Sequence, residues 1–192
     1  FSLDNAPIKG KQVDYYFDNL LPDSEPIRKR LQDRFHTTAR SSFELLAAIG
    51  RDCVGAVQLL SPDEQPQDID TINAKPLTET EIETALVQTV SPPAFAARLA
   101  EDEFRISIAG AQEKTAFLRH KGRWCRPLGS TPTTHIFKLP LGLVGGMQAD
   151  MTTSVENEWL CARILAAYGL PVARCDIGQF GSEKALVIER FD

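Results

Sequence analysis

One stretch of small and polar residues, RISIAGAQEKTAFL from Arg105 to Leu118, has the composition of a site that could bind phosphate. Gly110 lies between two alanines, and Lys114 follows it four positions later. A turn without large side chains lets backbone N–H groups approach phosphate oxygens, and a nearby lysine supplies positive charge. The same pattern is typical of a plain β-hairpin, in which glycine adopts a backbone shape that other residues resist. The local pattern favours the hairpin and leaves a phosphate loop as the alternative.

Further along the chain, a lysine and two glutamates follow in the order that a phosphoryl-transfer site needs. Lys138 lies in the predicted strand HIFKLP, and Glu156 and Glu158 open the next predicted helix. In kinases a loop covers the phosphates, a strand lysine contacts them, and a helix glutamate holds that lysine. Glu158 lies one turn into the helix whereas Glu156 resembles a capping acid, so we predict that Glu158 is the partner of Lys138. The order indicates a protein-kinase-like small lobe.

The first sixty residues predict helices followed by a short strand. PIRKRLQDRF places Ile27, Leu31 and Phe35 on one apolar stripe, and FELLAAIG predicts a second helix. The segment CVGAVQLL, residues 53–60, then predicts a buried strand. The first of these helices also carries a basic face, made of Arg28, Lys29, Arg30 and Arg34. We interpret that face as solvated, with phosphate contact as the alternative.

The rest of the chain predicts an antiparallel sheet with helices. Thr78 and Glu81 have the spacing of a capping box, and SVENEWLCARILAAYG predicts a long helix that ends at Gly169. The last two predicted strands form a hairpin about Gly181. The predicted fold class is therefore α+β. Its parts are a helical/β N-terminal subdomain (residues 1–60), a linker (61–77) and the kinase-like small lobe (78–192).

Composition and charge exclude several classes of protein. The chain has 192 residues and a formal net charge of −5. The negative charge argues against a protein whose own surface binds nucleic acid directly. No apolar run approaches the roughly 20 residues that span a membrane, and the first residues lack the layout of a signal peptide. We therefore expect a cytoplasmic protein. Neither a metal site nor a disulfide framework is predicted, because no CxxC pairing occurs among the four cysteines, Cys53, Cys125, Cys161 and Cys175.

Six short motifs run in one order across nearly the whole chain. They are FDNLLPDS (17–24), IGRDCVGAV (49–57), FRISIAGAQEKTA (104–116), TPTTHIFKLP (131–140), SVENEW (154–159) and ERFD (189–192). Together they resemble the HipA family, the serine/threonine-kinase toxins of bacterial HipBA toxin–antitoxin modules. Six ordered motifs are far more specific than one glycine-containing loop.

The resemblance implies roles for individual residues. The loop over the ATP phosphates would comprise Ala109, Gly110, Ala111, Gln112, Glu113 and Lys114. Lys138 would contact ATP, and the adenine-reading hinge would comprise Glu189, Arg190 and Phe191. Ser107 matches the serine that HipA kinases autophosphorylate, which displaces the loop and switches the enzyme off.

The resemblance also implies a larger protein. Phe1 is not an initiator methionine, and the last predicted strand reaches the end of the sequence, so we expect a piece of a longer chain. No catalytic residue is assigned within it, because the catalytic and magnesium-binding residues of the family's large lobe would lie beyond Asp192. We expect this piece alone to be inactive.

The function implied for the intact protein is phosphorylation of glutamyl-tRNA synthetase with ATP and Mg²⁺. That reaction would inhibit translation and promote growth arrest and persistence. The implied partners are a HipB-type antitoxin and, mainly through the antitoxin, operator DNA. The alternative is a non-catalytic module that docks onto the antitoxin–DNA complex.

Overall fold

A computed structural model of the chain describes residues 7–35, 41–66, 68–91 and 106–192. Two residues of the phosphate-loop motif, Phe104 and Arg105, lie outside these ranges, as does Phe1. The described residues form five helices and ten strands. None of the described helices is long and apolar enough to cross a membrane.

The N-terminal subdomain is a cluster of three helices and one short strand. The elements are α1 (Lys11–Asp18), α2 (Glu25–Arg34), α3 (Ser42–Ile49) and β1 (Asp52–Cys53). Their apolar faces share one core, which comprises Leu20, Leu21, Leu31, Leu45, Leu46, Ile49 and Cys53. The buried strand predicted for residues 53–60 is wrong beyond its first residue. Gly55 and Ala56 adopt positive φ angles of 85° and 55° and are exposed, so the chain turns there.

The remaining elements build the larger subdomain and its connections. In chain order they are β2 (Ala74–Pro76), α4 (Glu79–Val90), β3 (Ile106–Ser107), β4 (Lys114–His120), β5 (Arg123–Pro127), β6 (His135–Lys138), β7 (Gly142–Val144), β8 (Ala149–Met151), α5 (Ser154–Ala167), β9 (Cys175–Phe180) and β10 (Glu183–Glu189). The predicted capping box is present at the start of α4, where Thr78 Oγ1 accepts from the N–H of Glu81 at 3.2 Å. Thr78 N–H donates to Glu81 Oε2 at 2.8 Å.

A six-stranded antiparallel sheet forms the centre of this subdomain, with the order β2-β5-β4-β6-β10-β9. α4 packs its buried Ile82 and Leu86 against one face, where Phe137 is fully buried. The ring of Phe137 meets that of Phe117 edge-on, with centroids 4.9 Å apart. The predicted α+β class is therefore confirmed. β2, which pairs with β5, lies within the segment predicted to be a linker.

The two subdomains are joined by a parallel pairing of β1 with β3. Asp52 is opposite Ile106, and Cys53 is opposite Ser107. β4 pairs instead with β5 and β6. The hairpin interpretation of RISIAGAQEKTAFL is therefore wrong, because the strands on either side of the glycine turn belong to different sheets. The turn crosses from the N-terminal subdomain to the larger one.

Candidate functional site

The loop between β3 and β4 is shaped by Gly110. Its φ of +107° is a conformation that residues with a side chain rarely adopt. A Cβ built on Gly110 would lie 2.7 Å from Nζ of Lys114, so the lysine amine occupies the space that a side chain would need. The glycine is thus required both by its backbone angle and by the approach of Lys114.

Two lysines face each other across neighbouring strands beside this loop. Lys114 on β4 is the register partner of Lys138 on β6. Lys138 Nζ lies 2.5 Å from Oε1 of Glu158 on α5, and the two side chains are 25% and 39% exposed. Glu156, two residues earlier, pairs with Lys184 of β10 instead. The structure thus brings Lys138 to Glu158, as the sequence predicts, and gives Glu156 a different lysine.

The charge of Lys138 acts on the neighbouring Lys114. Burial lowers the pKa of Lys114, and the positive charge of Lys138 lowers it further, against the opposing influence of Asp23 and Glu158. Two ammonium groups held close together in a partly buried place favour an anion beside them. This arrangement can bind a phosphate group.

The polar residues of the loop are anchored on two sides. Gln112 Nε2 donates to the Leu139 carbonyl at 2.6 Å, and Leu139 N–H donates to the Glu113 carbonyl at 3.1 Å. The Glu113 side chain pairs with Arg30 of α2. Ala109 and Ala111, also predicted here, lie in the same loop, Ala111 exposed.

The predicted hinge follows β10 directly. Glu189 N–H donates to the Arg174 carbonyl, and Arg190 N–H donates to the Thr134 carbonyl, both at 2.9 Å. The side chain of Phe191 is 88% exposed and therefore accessible to a ligand. The structure thus places an exposed ring directly after a strand of the sheet that carries Lys138, whereas the N–H groups of Glu189 and Arg190 are both hydrogen-bonded within the protein.

The side chain of Arg190 points into the protein and is committed to other contacts. It is 5% exposed and donates to Asp52 Oδ1 at 2.8 Å and to Asp192 Oδ2 at 2.8 Å. Asp192 Oδ2 in turn accepts from the N–H groups of Gly55 and Ala56, at 2.6 and 3.2 Å. A contribution of Arg190 to adenine recognition would therefore be limited to its backbone carbonyl, because its N–H donates to Thr134.

Asp52 completes this buried cluster. Its Oδ2 accepts from the N–H and the hydroxyl of Thr133, at 2.9 and 2.6 Å. Hydrogen bonds from Arg190 hold the pKa of Asp192 below its ordinary value. We call Asp52, Thr133, Arg190 and Asp192 the hinge cluster. Sequence reasoning missed it, although all four of its members lie in three of the six motifs, IGRDCVGAV, TPTTHIFKLP and ERFD.

Three further predictions concern Ser107, the cysteines and metal binding. Ser107 lies in β3, with its backbone paired to Cys53, and the loop follows two residues later. All four cysteines carry free thiols. Within the part of the chain that the structure describes, no group of three His, Cys, Asp or Glu side chains could hold a metal ion.

Comparison with known proteins identifies relatives for both subdomains. The family model described as the HipA N-terminal domain matches residues 1–60, and the HipA-like C-terminal domain matches residues 106–192. The chain is 30% identical over 189 residues to putative kinase Y4mE of Sinorhizobium fredii, covering 97% of this chain and 42% of that protein. It is 26% identical over 186 residues to the serine/threonine-protein kinase toxin HipA of Shewanella oneidensis, covering 94% and 38% respectively.

A solved structure of similar fold is the complex of HipA, HipB and operator DNA from Shewanella oneidensis MR-1. The match has a TM-score of 0.66 and 25% sequence identity, and it covers 94% of this chain and 39% of that one. The chain thus spans about two fifths of the length of the relatives it matches. The two domain matches in family order, and the shared fold across nearly all of the chain, show that it belongs to the HipA family.

Proposed function

We propose that the chain is the nucleotide-binding part of an ATP-dependent serine/threonine kinase of the HipA type. The observation that carries the proposal is the Lys138–Glu158 ion pair, which lies beside Lys114 and the glycine loop. A lysine held by a helix glutamate against a phosphate loop is the arrangement that kinases use to orient ATP. The curated relatives named as kinases support the same activity.

The residues present fit the triphosphate of ATP. Gly110 allows the Lys114 amine to lie against the loop backbone, and Lys114 and Lys138 supply two positive charges whose mutual repulsion a phosphate would relieve. The adenine would lie at the hinge, against the backbone of Glu189 to Phe191 and the exposed Phe191 ring. When bound, ATP supplies the γ-phosphoryl group. This chain's residues bind and orient it.

Within the described ranges, no group of three or more His, Cys, Asp or Glu side chains could hold a metal ion. Mg²⁺ at a phosphoryl-transfer site is held by one or two carboxylates together with substrate phosphates. We therefore assign the Mg²⁺ ligands, like the catalytic residues, to parts of the family's kinase domain beyond residue 192. No step of the proposed reaction passes through a metal held by this chain.

The proposed substrate is a serine of glutamyl-tRNA synthetase, whose phosphorylation would stop tRNA charging and promote growth arrest and persistence in the cytoplasm. A HipB-type antitoxin would neutralise the kinase, and contact with operator DNA would run mainly through the antitoxin. The solved HipA–HipB–operator complex supports this pairing, and the net charge of −5 agrees with indirect DNA contact. Ser107 would be the autophosphorylated residue, and phosphate found elsewhere by mass spectrometry but not on Ser107 would exclude that role.

A second candidate function is a non-catalytic module that docks onto an antitoxin–DNA complex. The similarity to a chain solved in such a complex favours it. The two functions differ in one measurement. A docking module retains its full effect on the antitoxin when Lys138 is replaced and never transfers phosphate, whereas a kinase loses transfer with that lysine.

The test of the kinase proposal is Lys138→Ala in the full-length protein. We expect ATP-dependent phosphorylation to fall at least about a hundredfold, because the charge that faces the phosphates is lost. The matched control is Lys184→Ala, which removes the neighbouring ion pair between the sheet and α5. Equal loss in both variants, or near-normal turnover of Lys138→Ala with an unchanged circular dichroism spectrum, would contradict the proposal.

A further inference from the structure

The candidate phosphate loop is attached to the N-terminal subdomain as well as to the sheet that carries Lys138. Before the loop, β3 pairs in parallel with β1. Within the loop, the carbonyl of Gly110 accepts a hydrogen bond from the backbone N–H of Asp23 at 3.3 Å. Asp23 lies two residues before the first residue of α2. The turn that leads into α2 therefore touches the loop at its glycine.

A second contact, from α2 itself, reaches the other end of the loop. Arg30 of α2 forms an ion pair with Glu113, and the two side chains are 29% and 24% exposed. Ion pairs at this degree of burial are screened less by water and salt than fully exposed ones. Gly110 and Glu113, three residues apart, are thus both held from α2 and the turn before it.

α2 is itself firmly fixed and so can serve as an anchor. Leu31 on its inner face is 7% exposed and belongs to the N-terminal core. Arg28 Nη1 donates to Asp18 Oδ1 at 2.7 Å, and Arg28 Nε donates to the Pro22 carbonyl, which ties α2 to α1 and to the turn before it. By contrast, Lys29 is exposed. The basic face interpreted as solvated therefore contains two arginines with specific partners inside the protein.

The charge of Glu113 gives the Arg30 contact a chemical consequence. Glu113 directly precedes Lys114, whose amine lies beside Gly110. An unpaired carboxylate in this loop would repel the phosphates of a nucleoside triphosphate. Arg30 compensates that charge and, at the same time, restrains the loop in the shape that places the Lys114 amine beside Gly110.

We propose that Arg30 is a positioning residue for the phosphate loop, which makes α2 of the N-terminal subdomain part of the nucleotide site. The proposal rests on the proposed function, in which the loop binds the phosphates of ATP. Arg30 acts through Glu113 and does not touch the nucleotide. Its contribution is to neutralise Glu113 and to restrain residues 109–114.

The test uses full-length protein carrying Arg30→Ala, Arg30→Glu, or the charge exchange Arg30→Glu with Glu113→Arg. The matched control is Lys29→Ala, which removes an exposed charge from the same helix. ATP affinity is measured by calorimetry, and amide hydrogen exchange is followed across residues 109–114. We expect Arg30→Ala to weaken ATP binding about threefold to tenfold, Arg30→Glu to weaken it more, and Lys29→Ala to leave it unchanged.

The double variant, in which the charges at positions 30 and 113 are exchanged, distinguishes loss of the ion pair from a general effect on folding. We expect the double variant to recover most of the ATP affinity and the slow exchange of the loop, with thermal melting similar in all variants. Wild-type affinity and loop exchange in Arg30→Ala would overturn the proposal, as would failure of the double variant to recover either. If the unmodified protein bound no ATP, the kinase proposal would fail. Faster loop exchange in Arg30→Ala than in Lys29→Ala would still support the Arg30 restraint.

Discussion

At the scale of single residues, the site depends on the positions of a few charged side chains and of one glycine, Gly110. Lys114 fills the space beside Gly110, and Lys138 is held by Glu158. Neither lysine could be moved without changing the other's electrostatic surroundings, because they face each other across β4 and β6. Gly110 is the residue at which the two requirements of space and backbone angle coincide.

Replacement of Gly110 by valine should therefore impair nucleotide binding more than folding. A β-branched side chain disfavours the positive φ and displaces the Lys114 amine, so in full-length protein we expect ATP affinity to fall at least about tenfold. Calorimetry measures the affinity. Gly122→Val is the control, because Gly122 lies in the β4–β5 turn with a φ of +76°, and a Cβ added there would meet no atom within 4 Å. Equal ATP affinities of the two variants would contradict this role for Gly110.

Residue chemistry that acts between neighbours in sequence could be predicted from the sequence. The capping box of Thr78 and Glu81 follows from a three-residue spacing. The pairing of Lys138 with Glu158, 20 positions apart, was predictable instead from the order of the kinase elements and the place of Glu158 in the helix. The contacts of Arg30 and Arg190 were not predictable in this way. Their partners lie far away along the chain, 138 positions in the case of Arg190, and no local pattern specifies such contacts.

At the scale of elements, α5 has two halves with different surroundings. Its first turns carry the buried Val155 and the two glutamates that pair with lysines of the sheet. Its later turns and the residue after its end present Leu160, Ile164 and Tyr168, which are 51%, 46% and 80% exposed. Large apolar side chains grouped on one exposed surface are typical of a face that packs against other protein.

We therefore expect the 192-residue chain, studied by itself, to bind an apolar dye and to self-associate. Ile164→Lys combined with Tyr168→Lys should reduce both effects, because the charges interrupt the apolar face. Dye fluorescence measures the dye binding, and sedimentation velocity measures the self-association. Met147→Lys is the control, since Met147 is 97% exposed in the connection between β7 and β8. A strictly monomeric chain without dye binding at high concentration would contradict this expectation.

At the scale of the whole molecule, the hinge cluster joins residues that are far apart in sequence. Asp52 comes from the N-terminal subdomain, whereas Arg190 and Asp192 follow the last strand of the sheet. A buried ion pair of this kind contributes little net stability by its attraction, but removal of one partner leaves an uncompensated buried charge and is costly. The cluster therefore fixes how the two subdomains meet.

Arg190→Met in full-length protein should be strongly destabilising, by about 3–5 kcal/mol, because Asp52 is left buried without its positive partner. Thermal melting measures the loss of stability, and the double variant Asp52→Asn with Arg190→Met should recover part of that stability. The lowered pKa of Asp192 means that its stabilising contribution is present above its ordinary pKa of 3.8 and is lost as the pH falls further. Melting temperatures of Arg190→Met equal to those of the unmodified protein would contradict the role of the cluster.

The two-residue pairing of β1 with β3 has a thermodynamic consequence for regulation. β1 carries Asp52 of the hinge cluster, and β3 leads directly into the phosphate loop. A binding partner that reorients the N-terminal subdomain thus acts on both ends of the nucleotide site at once. If such a partner changes the affinity for nucleotide by some factor, nucleotide must change the affinity for that partner by the same factor. Measured in either direction, that factor gives the coupling free energy between the two events.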